Sequence, residues 1–174
     1  RKVFACVAIA EFSQVDAVQS SAWIDVVIKA RWSASAGDQW RPQFFLLNAV
    51  ESDMAYVTMV DATHSVDTHD LHVRMVGRIA VFWDLQPFPF DMLPLQLQIE
   101  CRGQPSEEVQ LCWCQTGNMG KLALTWQEAV QFDFPRTTRG RLAEWTLRAI
   151  ELEADSINFG HAKYDALVLT AYLW

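Results

Sequence analysis

Residues with high strand propensity recur along this chain in short blocks. VFACVAIAEF (Val3 to Phe12) and AWIDVVIKARW (Ala22 to Trp32) are dominated by β-branched and aromatic side chains, with the polar SQVDAVQSS between them. Each run predicts a strand, and the polar segment predicts an exposed connection between two neighbouring strands. Six further runs have the same character: AYVTMVDAT, LHVRMVGRIAVFW, LPLQLQIEC, VQLCWC, AEWTLRAIELEA and YDALVLTAYLW, separated by turn-forming Asp, Ser, Gly, Pro and Asn. That count and spacing predict an all-β chain folded as a two-sheet antiparallel β-sandwich, immunoglobulin-like in architecture. QEAVQFDFPRTTRGR, residues 127–141, has no clear period and predicts a long irregular loop. No repeat, low-complexity tract or linker interrupts the pattern, so residues 1–174 are expected to form one domain.

One stretch breaks the strand rule. In WDLQPFPFDMLPLQLQIE, Pro87 and Pro89 remove two backbone donors and fix φ near −65°, which excludes a central strand. The segment reads instead as a stiff projecting loop between a strand ending near Trp83 and one starting near Leu93. Phe88 and Phe90 alternate with the prolines, so one side of the loop can anchor while the other meets a neighbour.

Composition narrows the function classes. With 174 residues, 51% of them hydrophobic, the chain can bury one sizeable core. A net charge of −7 with no cluster of Lys and Arg argues against a nucleic-acid partner and fits cations better. No apolar window approaches the roughly 20 residues of a spanning helix, and Arg1-Lys2 leads directly into a strand, so the chain as given is expected to be soluble. Cys6, Cys101, Cys112 and Cys114 match no disulfide-scaffold spacing, and Cys112 and Cys114 leave one side of a strand, a poor geometry for bridging each other.

Two clusters offer metal chemistry. HSVDTHDLH gathers His64, Asp67, His69, Asp70 and His72, all suitable for zinc or a similar ion, although a solvated turn between strands accounts for them as well. Glu151, Glu153 and Asp155 alternate along one strand and share a face, as calcium-binding carboxylates would and as an ordinary solvated sheet face would. Otherwise no cofactor is expected. No Ser-His-Asp order, Gly-rich phosphate loop or marked carboxylate pair is present, so an enzyme is not expected.

Four segments, in order, resemble the extracellular domain of pentameric ligand-gated ion channels, the Cys-loop receptor superfamily. FPFD (Phe88 to Asp91) is similar to the centre of the family's signature loop. WRPQFFLLN (Trp40 to Asn48) resembles its W-x-P-(D/E) segment with Gln43 in place of the acid. IDVVIKARW (Ile24 to Trp32) looks like its second strand. EWTLRAIELEA with KYDALVLTAYLW resembles the last two strands, which flank a capping hairpin. The flanks of the signature loop are Val81 and Leu95 rather than cysteines, which resembles the prokaryotic branch.

The resemblance implies a homopentamer that senses a small molecule or ion between identical subunits and passes the change to a pore. The implied location is the extracellular or periplasmic side of a membrane. It assigns coupling to Phe88, Pro89, Phe90 and Asp91, beside a first-hairpin tip at Val15, Asp16 and Ala17. Ungapped register places the family's pocket positions on Leu47, Val27 and near Arg102, which dismantles an aromatic amine cage, while Phe159, His161 and Tyr164 lie in the capping loop. In the family the final strand runs on into four membrane helices, so the pore domain is expected to follow Trp174. A soluble secreted ligand-binding protein of the same fold, and an unrelated carbohydrate-binding or enzymatic sandwich, are the alternatives.

Overall fold

The computed structural model describes residues 1–16, 18–33, 38–50, 55–59, 68–81, 93–102, 105–114, 130–132, 147–158 and 160–173. Among them ten strands run in order: β1 (Lys2–Asp16), β2 (Ser21–Ser33), β3 (Phe44–Leu46), β4 (Ala55–Met59), β5 (Thr68–Ala80), β6 (Leu93–Cys101), β7 (Gln110–Trp113), β8 (Val130–Phe132), β9 (Leu147–Asn158) and β10 (Lys163–Leu173). One sheet has the order β4-β5-β2-β1-β7, with β8 also on β1, and the other has the order β3-β6-β10-β9. The fold is the expected all-β, two-sheet sandwich.

Alternation builds the core. Val3, Ala5, Val7 and Ile9 of β1 and Ile24, Val26, Ile28, Ala30 and Trp32 of β2 turn inward and are almost fully buried. They meet Leu95, Leu97 and Ile99 of β6 and Leu167, Leu169 and Ala171 of β10 in one continuous cluster. Each buried methylene contributes about 0.8 kcal/mol, so truncating a core residue such as Leu97 to Ala costs about 2 to 5 kcal/mol. Trp40 meets Trp32 edge-on at 5.6 Å, and the Arg1 guanidinium lies 4.7 Å above the Trp40 ring. This stack anchors the WRPQ segment to the inner end of β2.

Four features depart from the sequence reading. Although the sheets are mainly antiparallel, β1 pairs in parallel with β7 and with β8. Strand β8 lies inside residues 127–141, where an irregular loop is expected. The first connection is shorter than expected because β1 continues to Asp16, with register shifts between Ile9 and Glu11 and between Ser13 and Asp16. Similarly, β9 runs to Asn158 through Asp155 and Ser156, weak strand formers held there by a continuous ladder to β10.

Among the described residues, links between the sheets are found on both long sides of the sandwich. On one, the chain switches sheets: Phe44, Phe45 and Leu46 pair with β6, and then Ala49 bridges to Ile79 of β5. Asn48 clasps the switch, its Nδ2 donating to the Ala80 carbonyl at 3.2 Å and to the Gln96 carbonyl at 2.7 Å. On the other side the Trp113 indole donates to the Glu153 carbonyl at 2.8 Å, and the Leu111 amide donates to Asp165 at 3.1 Å. These bonds staple β7 to β9 and β10.

Candidate functional site

At one end of the sandwich several chain segments converge. Ser21 lies opposite Ala80, and the Val81 amide donates to the Ser20 carbonyl at 2.8 Å, so the β1–β2 turn sits beside the end of β5. Leu93, the first residue of β6, lies opposite Leu173 near the end of β10. Both anchor points of the segment carrying FPFD are therefore at this end, with the first hairpin tip and the last strand. Asp16 shapes the tip: its Oδ1 accepts from the Val18 and Gln19 amides, both at 2.9 Å. Gln14 and Ser20 take positive φ of 49° and 48°, and Val18 is 95% exposed. Val15 is half-buried and packs against the core. Ala17, Phe88, Pro89, Phe90 and Asp91 lie outside the described residues.

Arg102, Glu100 and Phe45 form a compact group toward the other end. The Arg102 guanidinium stacks 4.2 Å above the Phe45 ring and bonds Glu100 Oε1 at 3.2 Å, while its amide donates to the Gln43 carbonyl at 3.0 Å. Glu100 faces outward yet is only 4% exposed, because Phe45 lies directly opposite it and Arg102 is its ion-pair partner. A buried carboxylate is retained as an ion only with such a partner. Beside this group, Arg41, Pro42, Gln43, Phe44, Phe45, Leu71 and Val73 line a cavity of about 490 Å³ between β3 and β5.

The positions expected to line a pocket are only partly brought together. Leu47 is half-buried, and its amide donates to the Gln98 carbonyl at 2.8 Å, one strand from the Arg102 group. Ala166 lies opposite Glu100, and half-buried Tyr164 lies two residues before Ala166 on β10, toward the same end. His161 is exposed at the β9–β10 turn, and Phe159 lies outside the described residues. Val27 sits elsewhere: it is on β2, opposite Ala8 and Arg74, on the outward face of the other sheet. Within one chain the core separates it from the rest. Phe45, which the sequence reading does not single out, supplies the ring beside Arg102 and Glu100. It lies two residues before Leu47, and a period of two does not distinguish same-face positions two apart.

Among the described residues no three His, Cys, Asp or Glu side chains are grouped to hold an ion. Glu151, Glu153 and Asp155 do share the exposed face of β9, opposite Thr170, Val168 and Ala166. Glu151 accepts a 2.8 Å hydrogen bond from the Tyr172 hydroxyl, which raises the phenol above its ordinary range. Of the other cluster, Asp70 is paired with Arg31 through bonds of 2.5 and 2.7 Å, and His69 is tilted against Trp32 at 5.7 Å. His72 stands opposite Lys29 on β5, and His64 and Asp67 lie outside the described residues.

Cys6 and Cys114 form a buried pair packed with Phe4 and Leu152, and none of Cys6, Cys101, Cys112 and Cys114 is in a disulfide. Burial pushes Cys6 and Cys101 up to about 11 each. No family model matches the chain, and no curated protein matches it either.

Proposed function

We propose that this chain is the extracellular sensing domain of a pentameric ligand-gated ion channel, which couples binding between subunits to the opening of a pore. The observation that carries the reading is the convergence at one end of the sandwich. The Asp16-capped tip, both anchors of the segment carrying FPFD and the end of β10 meet there. A receptor that transmits force to a membrane needs its contact elements at one end, with the strand leading to the pore among them. The sequence of that segment carries Pro87 and Pro89, and proline's fixed φ suits an element that transmits displacement.

The sensing end then lies toward Arg102, Phe45, Glu100 and Tyr164, where a stacked guanidinium and a buried carboxylate present both charges. Val27, on the opposite outward face, is placed to complete such a site only from a neighbouring subunit. A ring is therefore part of the reading, with a small molecule or ion as the ligand and no nucleic acid among the partners.

Two measurements test it. Sequencing the native reading frame past Trp174 is expected to find four apolar segments of spanning length. Electron microscopy and sedimentation of the purified chain at increasing concentration are expected to show rings of five. A reading frame without those segments, together with a face-to-face twofold dimer or a monomer at every concentration, would remove the channel assignment.

A further inference from the structure

β1 and β7 pair in parallel, with Phe4 opposite Cys112 and Ala5 opposite Trp113. One step further Cys6 stands opposite Cys114, and the Cys114 amide donates to the Ala5 carbonyl at 2.8 Å, the ladder bond that this pairing requires. Residues directly opposite in neighbouring strands project from the same face. The two cysteines accordingly pack on each other, each 5% exposed. Neighbouring strands run about 4.8 Å apart. That lies inside the roughly 4.4 to 6.8 Å of Cα separation that a disulfide spans.

We propose that Cys6 and Cys114 are the two halves of an intrachain disulfide site, filled by exchange with a low-molecular-weight disulfide, which bonds β1 covalently to β7. The other thiols are excluded by position. Cys101 points into the core from β6 in the other sheet, and Cys112 is two residues from Cys114 along one strand face. The proposal does not depend on the channel reading.

The chemistry balances in two steps. A thiolate of the pair attacks the small disulfide, forming a mixed disulfide and expelling one small thiolate, which takes up a proton. The second cysteine, deprotonated, attacks the protein sulfur of that mixed disulfide and expels the other small thiolate, which is protonated in turn. Two protein thiols are oxidised and one small disulfide is reduced to two thiols.

The surroundings set the rate. Lys29 lies opposite Cys6 on β2, and Arg31, paired with Asp70 of β5, follows on the same face. From β9 the neighbour is apolar Leu152. Lys29 favours the Cys6 thiolate, but burial and the second sulfur oppose it and prevail, so Cys6 stays protonated at neutral pH and exchanges slowly. The bond would cross-link β1 to a strand already stapled to β9 and β10, locking one side of the sandwich.

The test uses the 174-residue chain, folded, incubated with oxidised glutathione at mildly alkaline pH, then quenched in acid, alkylated and mapped by mass spectrometry. The expected result is a fall from four free thiols to two, with one linked peptide pair containing Cys6 and Cys114. The melting temperature should rise by roughly 5 to 15 °C and return on treatment with dithiothreitol. Cys6→Ser and Cys114→Ser should each lose the link and the rise, while Cys112→Ser keeps both. Should a Ser variant fold poorly, Cys6→Ala removes the sulfur without burying a hydroxyl, and the wild-type map stands by itself. Four alkylatable thiols after prolonged oxidation, a different mapped pair, or linkage only in urea would overturn the proposal.

Discussion

Cys101 is buried against the Gln43 backbone in one sheet and Cys6 against Cys114 in the other, and both thiols are raised from about 9 to about 11. A raised acid favours the protonated fold. Its stabilising contribution is complete below the unfolded value near 9 and is lost as pH climbs from 9 to 11. Each such thiol then removes about 3 kcal/mol. Urea unfolding of reduced protein between pH 8 and 11 should show this loss, and Cys101→Ala should be less stable at pH 8 yet show a shallower alkaline decline. An unchanged slope in the variant would locate the alkaline sensitivity elsewhere. At this scale the sequence was least informative. Nothing in the spacing of Cys6 and Cys114 announces that they meet, because a long-range parallel register brings them together. Phe45 was missed for a related reason: a period of two names a face and leaves the position along it open.

Strands of nine residues or more were legible because their apolar periodicity is long enough to stand out, and LPLQLQIEC corresponds residue for residue to β6. β3 and β8, three residues each, have too little sequence to show a period, and only the neighbours they pair with define them. Yet β3 begins a link between the sheets. Asn48→Ala removes two side-chain donations to buried-edge carbonyls and should cost about 2 to 3 kcal/mol in urea melts with an unchanged slope. Trp113→Phe, which deletes one staple while keeping most of the ring, should cost about 1 to 2 kcal/mol in the same measurement. A loss below 0.5 kcal/mol on the order of experimental scatter in both would mean that the sides are held by packing alone. On β9, the spaced acids make a screening surface more readily than a chelate. Calcium is expected to raise the melting temperature no more than about 1 to 2 °C beyond sodium at equal ionic strength, and Glu151→Gln with Glu153→Gln should remove that excess. A larger saturable shift in the wild type would indicate a site that draws on further residues.

The whole molecule carries a net charge of −7, so bringing copies together works against like-charge repulsion. If the chain forms rings, salt should strengthen them: sedimentation at about 50 mM and about 500 mM ionic strength should show the larger species favoured at the higher value. Dissociation by salt would instead point to contacts made by opposite charges. The sandwich itself was readable from the number and spacing of strands. Its parallel edge was not, because strand propensity carries no direction.

That edge has a consequence for how the chain is made. β1 and β2 are close in sequence and can pair as soon as both leave the ribosome, but the free side of β1 waits for β7, about a hundred residues of synthesis later at roughly 5 to 20 residues per second. For those seconds Lys2 to Ala5 presents unpaired amides and carbonyls beside an apolar face, an edge onto which another nascent chain can add. Overproduction in haste, in which many copies reach this stage side by side, should therefore yield insoluble protein whose yield recovers when translation is slowed or cooled.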